Sequence, residues 1–200
     1  VFDTLLRRLI DPPLARVGAA LARLGVRADH LTLLGGALAL PIGWAIASNA
    51  FGLALALIAL NRLLDGLDGA VARAAGPTEL GGYLDSLCDY LFYLAVPVGF
   101  GLADPANTAA ALLLTASFTL TAVSFLAYAA IAARAGAKPA EPKAFIYSRG
   151  LAEGAETILA FVLMCLLPAA FTLIAGLFTF LCAATVVQRI AMARRLLSDA

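Results

Sequence analysis

The sequence predicts an all-α integral membrane protein of six transmembrane helices, with an N-terminal amphipathic juxtamembrane helix. Three observations predict it. Of the 200 residues 62% are apolar and 14% charged, and the mean hydropathy is +0.94, a composition outside the range of soluble domains. Apolar stretches long enough to cross about 30 Å of hydrocarbon recur along the chain, separated by short turns. The basic residues are also lopsided: of fourteen Lys and Arg, thirteen belong to one side of the membrane, several of them at the ends of spans, and the fourteenth, Arg62, is intramembrane.

Residues 1–28 place Phe2, Leu5, Leu6, Leu9 and Ile10, then Leu14, Val17, Leu21 and Leu24, at helical spacing with arginines interleaved. That amphipathic pattern, broken at Pro12-Pro13, reads as two short helices lying on the membrane surface. The alternative is a solvated helix packed on the rest of the protein. Residues 29–200 form the membrane domain. Its first span covers residues 31–49, after Asp29-His30-Leu31-Thr32, and the second and third cover 51–74 and 79–101. The fourth, fifth and sixth cover 107–133, 148–167 and 170–192. Turns after the first, third and fifth spans hold no Lys or Arg, so the positive-inside rule puts both termini at the cytoplasmic face. No cleavable signal peptide is expected, because Arg7, Arg8 and Asp11 precede any long apolar run. Cys88, Cys165 and Cys182 sit in apolar segments without ligand spacing, which points to neither disulfides nor zinc.

The stretch Asn61–Tyr90 contradicts its apolar surroundings. Asp65 and Asp68, three apart, and Asp85 and Asp89, four apart, each share one helix face, about 60° and 40° apart around the axis. A charge at mid-bilayer costs about 2.5–3.5 kcal/mol on insertion scales, so four carboxylates require a counter-charge. Gly76-Pro77-Thr78 is a helix stop followed by a cap, which predicts two antiparallel neighbouring helices and lets the acids converge. Arg62 and Arg73 offset only half of that charge. All-oxygen ligands then point to hard divalent ions, Mg²⁺ or Mn²⁺. Gly66, Gly69, Ala70 and Ala72 make the first of these helices approachable, and Arg73 one turn on suits a phosphate-bearing ligand.

The string Asp65-x2-Asp68-Gly69-x2-Ala72-Arg73, then Gly81-x3-Asp85-x3-Asp89, resembles the signature of the CDP-alcohol phosphotransferases. These membrane enzymes move a phosphoalcohol group from a CDP-linked donor to an acceptor hydroxyl and release CMP. The interval between Arg73 and Gly81 holds seven residues, where the family pattern usually has eight or nine. The resemblance implies two divalent ions held by Asp65, Asp68, Asp85 and Asp89, with Asp89 also the catalytic base. It implies a donor site of Asp65, Asp68, Gly69, Ala72, Arg73 and Gly81, and, near the nucleotide, Thr32 with Asp29 where the family usually has Asn. Asp29 as a simple helix cap is the competing reading. The resemblance further implies CDP-diacylglycerol as donor, a small polar alcohol as acceptor, lateral access for lipid tails, a homodimer, and a bacterial or archaeal cytoplasmic membrane with the active site facing the cytoplasm. No nucleic-acid partner is expected.

The acceptor side reads from the long loop before the fifth span. Arg149 and Lys138 suit a phosphorylated polyol such as glycerol or inositol phosphate, while Glu153 and Glu156, three apart, suit an amino alcohol such as serine. Lys138 and Lys143 as topology determinants, and Arg149–Glu153 as a helix-end ion pair, are the structural alternatives. From another class, an ion or proton transporter would use the same four acids as its path, but would place them at the midplane between repeated halves.

Overall fold

In the computed structural model the chain is described over residues 2–135 and 154–198, with side chains from Pro12 onward. Among these residues it is built of helices: α1 (Phe2–Arg23), α2 (Ala28–Ala37), α3 (Ala39–Ala47), α4 (Phe51–Ala75), α5 (Glu79–Ala103), α6 (Thr108–Arg134), α7 (Gly154–Leu166) and α8 (Phe171–Ser198), with single 3₁₀ turns before α6 and α8. Punctuation residues set the ends. Gly25, at φ +79°, closes α1 with the Val26 N–H bonded to the Leu21 carbonyl and Gly25 N–H to Ala22, a Schellman end that needs the left-handed region. Gly76, at φ +100°, ends α4. Thr78 then caps α5, its Oγ1 accepting from Gly81 N–H at 2.9 Å.

Among the described residues four stretches are long and apolar enough to cross a membrane: Ala28–Ala47, Glu79–Ala103, Pro105–Arg134 and Pro168–Ser198. They make the chain an integral membrane protein. The expected six is therefore met by four on length and composition. Of the other two, α4 has the length but carries Arg62, Asp65, Asp68 and Arg73, and the 13 described residues of α7 span about 20 Å, short of the hydrocarbon thickness.

The first expected span is a helix pair. Pro41 has no N–H to offer the Ala37 carbonyl, and its ring crowds that oxygen; the chain breaks at Leu38 between α2 and α3. The N-terminal segment departs in the opposite sense. α1 runs helical through Pro12 and Pro13 instead of dividing there. From Leu14 on it packs along α4, where a Cβ on Gly18 would meet Ala70 Cβ at 2.5 Å and one on Gly66 would meet Leu14 Cδ1 at 2.8 Å. That close seating holds the second half of α1 whatever its prolines cost, and it explains Gly66 by packing.

The predicted pairing of α4 with α5 is also corrected. These helices do not pack along their length; α2 and α3 pack against both. Gly35 and Gly36 make the wedge possible: Gly35 faces Asn61 and Leu64 of α4, and Gly36 leaves its Cβ space to Cys88 of α5. Deeper in, α3 crosses α5 at Gly99, where a Cβ would stand 2.7 Å from the Gly43 carbonyl oxygen. The core around these crossings is aromatic. Phe100 stacks on Phe171 at 4.4 Å, and Phe92 meets Phe161 edge-on at 5.5 Å, tying α5 to α7 and α8.

Gly36→Ala is expected to destabilise the protein by about 1–3 kcal/mol through overpacking against Cys88. Thermal unfolding in detergent measures this, and Cys88→Ala in the same chain should recover part of the loss.

Candidate active site

The wedge of α2 delivers one helix face from α4 and one from α5 to the same recess. Asp65, Asp85 and Asp89 each place a carboxylate oxygen within 4.8 Å of the others. Oxygens that bind one hard cation at about 2.0–2.6 Å lie within that range of each other, so these three side chains fit a divalent ion. Asp68 belongs to the same recess but faces α2. It is buried, and Thr32 Oγ1 donates to its Oδ2 at 2.6 Å. The four acids thus divide three and one, where the pattern along the chain divides them two and two.

The counter-charge is Arg62. Its Nη2 lies 3.0 Å from Asp89 Oδ1 and its Nη1 3.5 Å from Asp65 Oδ2. Asn61, almost wholly buried, accepts from Arg62 Nε at 2.8 Å and donates its Nδ2 to the Gly35 carbonyl at 2.9 Å. The guanidinium also rides 4.7 Å above the Phe92 ring. Asn61 escaped the sequence reading because an amide in an apolar run carries no charge to notice.

The recess opens into a cleft of about 1210 Å³. All eight residues expected at the donor site line it: Asp65, Asp68, Gly69, Ala72, Arg73, Gly81, Thr32 and Asp29. Gly69 lets Arg73 fold back, since a Cβ there would stand 3.2 Å from Arg73 Nη1. A Cβ on Gly81 would press on Thr78 Oγ1 at 2.9 Å and Asp29 Oδ1 at 3.3 Å. Asp29 does not cap α2; it lies inside the first turn, 2.9 Å from Arg27 Nη2. His30 is exposed.

Across the cleft stand α6, α7 and α8. Arg189 lines this wall, buried, with Nη1 donating to the Thr121 carbonyl at 2.8 Å and to Ser124 Oγ at 3.1 Å. The sequence pattern marks it only as a topology charge; its place inside the sixth predicted span, 170–192, was the available signal. Tyr93, one turn beyond Asp89, also lines the cleft. The acceptor residues Lys138, Arg149 and Glu153 lie outside the described residues.

The sequence pattern of a CDP-alcohol phosphatidyltransferase domain matches residues 26–192. The chain belongs to the CDP-alcohol phosphatidyltransferase family. It is an enzyme, and membership removes the transporter reading. The matched region begins where α1 has ended. Among CDP-alcohol phosphatidyltransferases and related proteins, the chain is 46% identical over 199 residues to the inner membrane protein YnjF of Escherichia coli, covering 95% of this chain and 94% of that one. It is 36% identical over 98 residues to an archaetidylinositol phosphate synthase of Pyrococcus horikoshii, covering 48% of this chain and 52% of that one. In fold it is similar to the phosphatidylinositol phosphate synthase of Mycobacterium tuberculosis, in the crystal structure with CDP-DAG bound, at a TM-score of 0.65 and 23% identity over 90% of this chain and 92% of that one.

Thr32→Val keeps the volume but leaves the buried Asp68 carboxylate without its donor, at a cost of about 1–3 kcal/mol. The rate of CMP release is expected to fall about 10–100-fold, the usual effect of removing a partner that orients a metal-site carboxylate. Initial rates at saturating metal measure it.

Proposed function

We propose that the protein transfers the phosphatidyl group of CDP-diacylglycerol to the hydroxyl of a phosphorylated polyol, releasing CMP, at a Mg²⁺ or Mn²⁺ centre on the cytoplasmic side of the membrane. The observation that carries this reading is the convergence of Asp65, Asp85 and Asp89 at the floor of the cleft that the donor residues line. These three carboxylates would hold the metal, with Asp68 beside them oriented by Thr32. Bound there, divalent ions offset the diphosphate charge as CMP leaves.

The chain's own groups supply the remainder. Arg73 is exposed at the cleft rim and suits the donor phosphates. Gly69 and Ala72 leave the α4 backbone open to the cytidine. Asp89 accepts from Arg62 through Oδ1, and among the described residues its Oδ2 has no hydrogen-bond partner. That oxygen takes the proton from the acceptor hydroxyl as the new P–O bond forms and the phosphoanhydride bond to CMP breaks.

A phosphorylated acceptor is favoured by Arg189, a buried cation on the wall opposite the acids. The Pyrococcus and Mycobacterium relatives, both named as inositol phosphate lipid synthases, support the same choice, and Arg149 and Lys138 would add to it. One observation favours an amino alcohol such as serine: Glu156 Oε2 is buried and, among the described residues, without a hydrogen-bond partner, next in sequence to the cleft-lining Ala155 and Thr157. In topology, α4 and α7 complete six spans, with the charged half of α4 at the cytoplasmic face, as the basic residues require.

Purified protein with Mn²⁺ and CDP-diacylglycerol is offered glycerol 3-phosphate, inositol 1-phosphate and serine in turn, and CMP is measured. Release is expected with a polyol phosphate and lost in EDTA, and serine as the active acceptor would assign the wall to Glu156 instead. Asp89→Asn is expected to lower the rate by at least about 100-fold; undiminished release would remove Asp89 as base.

A further inference from the structure

The acid cluster already contains a cation. Arg62 bridges Asp65 and Asp89 from within the membrane region, and three contacts lock it there: Nε on Asn61 Oδ1, Asn61 on the Gly35 carbonyl, and the guanidinium face on Phe92. Its side chain is only 21% exposed, so water screens its charge weakly. It cannot swing away without stripping the buried Asn61 Oδ1 of its donor. A flexible surface arginine would yield its place to any divalent ion; this one is part of the frame.

Charge then limits what the site can take. Four carboxylates and one guanidinium leave three negative charges. One divalent ion reduces this to a single negative charge, and a second would leave the resting site with excess positive charge in a low-dielectric setting. The donor diphosphate reverses that balance by bringing about two further negative charges. We propose that Arg62 is the built-in counter-cation of the site, a positioning residue that orients Asp89 through Oδ1 and restricts the substrate-free enzyme to one divalent ion, the second entering only with the donor. This rests on the metal-centre reading given above.

The test is Mn²⁺ binding to the full-length protein in detergent without substrate, followed by calorimetric titration and by loss of the free Mn²⁺ resonance signal. Wild type is expected to bind one ion per chain, Arg62→Gln two, and Arg62→Lys, which keeps the charge, one. Wild type binding one ion while Arg62→Gln binds one or fewer, at equal or weaker affinity, overturns the assignment and leaves the metal reading standing. No binding by any of the three removes the metal reading and the Arg62 assignment with it. If Arg62→Gln survives purification only with metal, melting points decide: Mn²⁺ should raise the melting point of Arg62→Gln above its value in EDTA by more than it does for wild type, and an equal or smaller rise overturns the proposal.

Discussion

Carboxylates held among apolar helices need partners or water, and the arrangement of this protein around residues 61–93 follows from that need: Asp85 is exposed, and the other three are paired. Asp68 is satisfied by Thr32 of α2, and Asp65 and Asp89 share Arg62. Arg62 is in turn held by Asn61, whose own amide is anchored on Gly35 of α2. Three helices are thereby fixed relative to one another by polar contacts that cost dearly if left unmade in a low-dielectric interior. The same contacts leave one side of the cluster facing the cleft.

Close packing brings those partners within reach. Gly35 and Gly36 let α2 lie between α4 and α5, and Gly18 over Ala70 seats α1 on the outer face of α4. At the far end, the Gly43–Gly99 crossing and the stacked Phe100–Phe171 pair hold α3, α5 and α8 together. The site therefore sits at the end of a rigid frame and not on a loop. Such support suits phosphoryl-transfer chemistry, in which positioning and charge neutralisation dominate.

The cleft has two unlike walls. One is made largely of glycine, alanine and acids from α2, α4 and α5 and holds the residues expected at the donor site. The other, from α6, α7 and α8, is mostly apolar, with Phe118 and Phe125 on α6, and carries Arg189. Most of the residues expected at the donor site stand in one short stretch, Asp65 to Gly81. The acceptor wall is assembled from distant segments, which is why acceptor choice is the less legible half of the function.

By itself the sequence determined the membrane class, the helix ends at Gly76 and Thr78, and the four acids with the small residues beside them. These are local signals, set by composition, backbone freedom and spacing along a single helix. Tertiary structure alone decided that α2 stands between α4 and α5, that the acids group as three and one, and that Pro41 rather than Pro12-Pro13 interrupts a helix. It also decided that Gly66 serves α1, that Asn61 locks Arg62, and that Arg189 faces the cleft. Each of these depends on which helix lies beside which, and periodicity within one helix gives the face a residue occupies without giving the neighbour that face will meet.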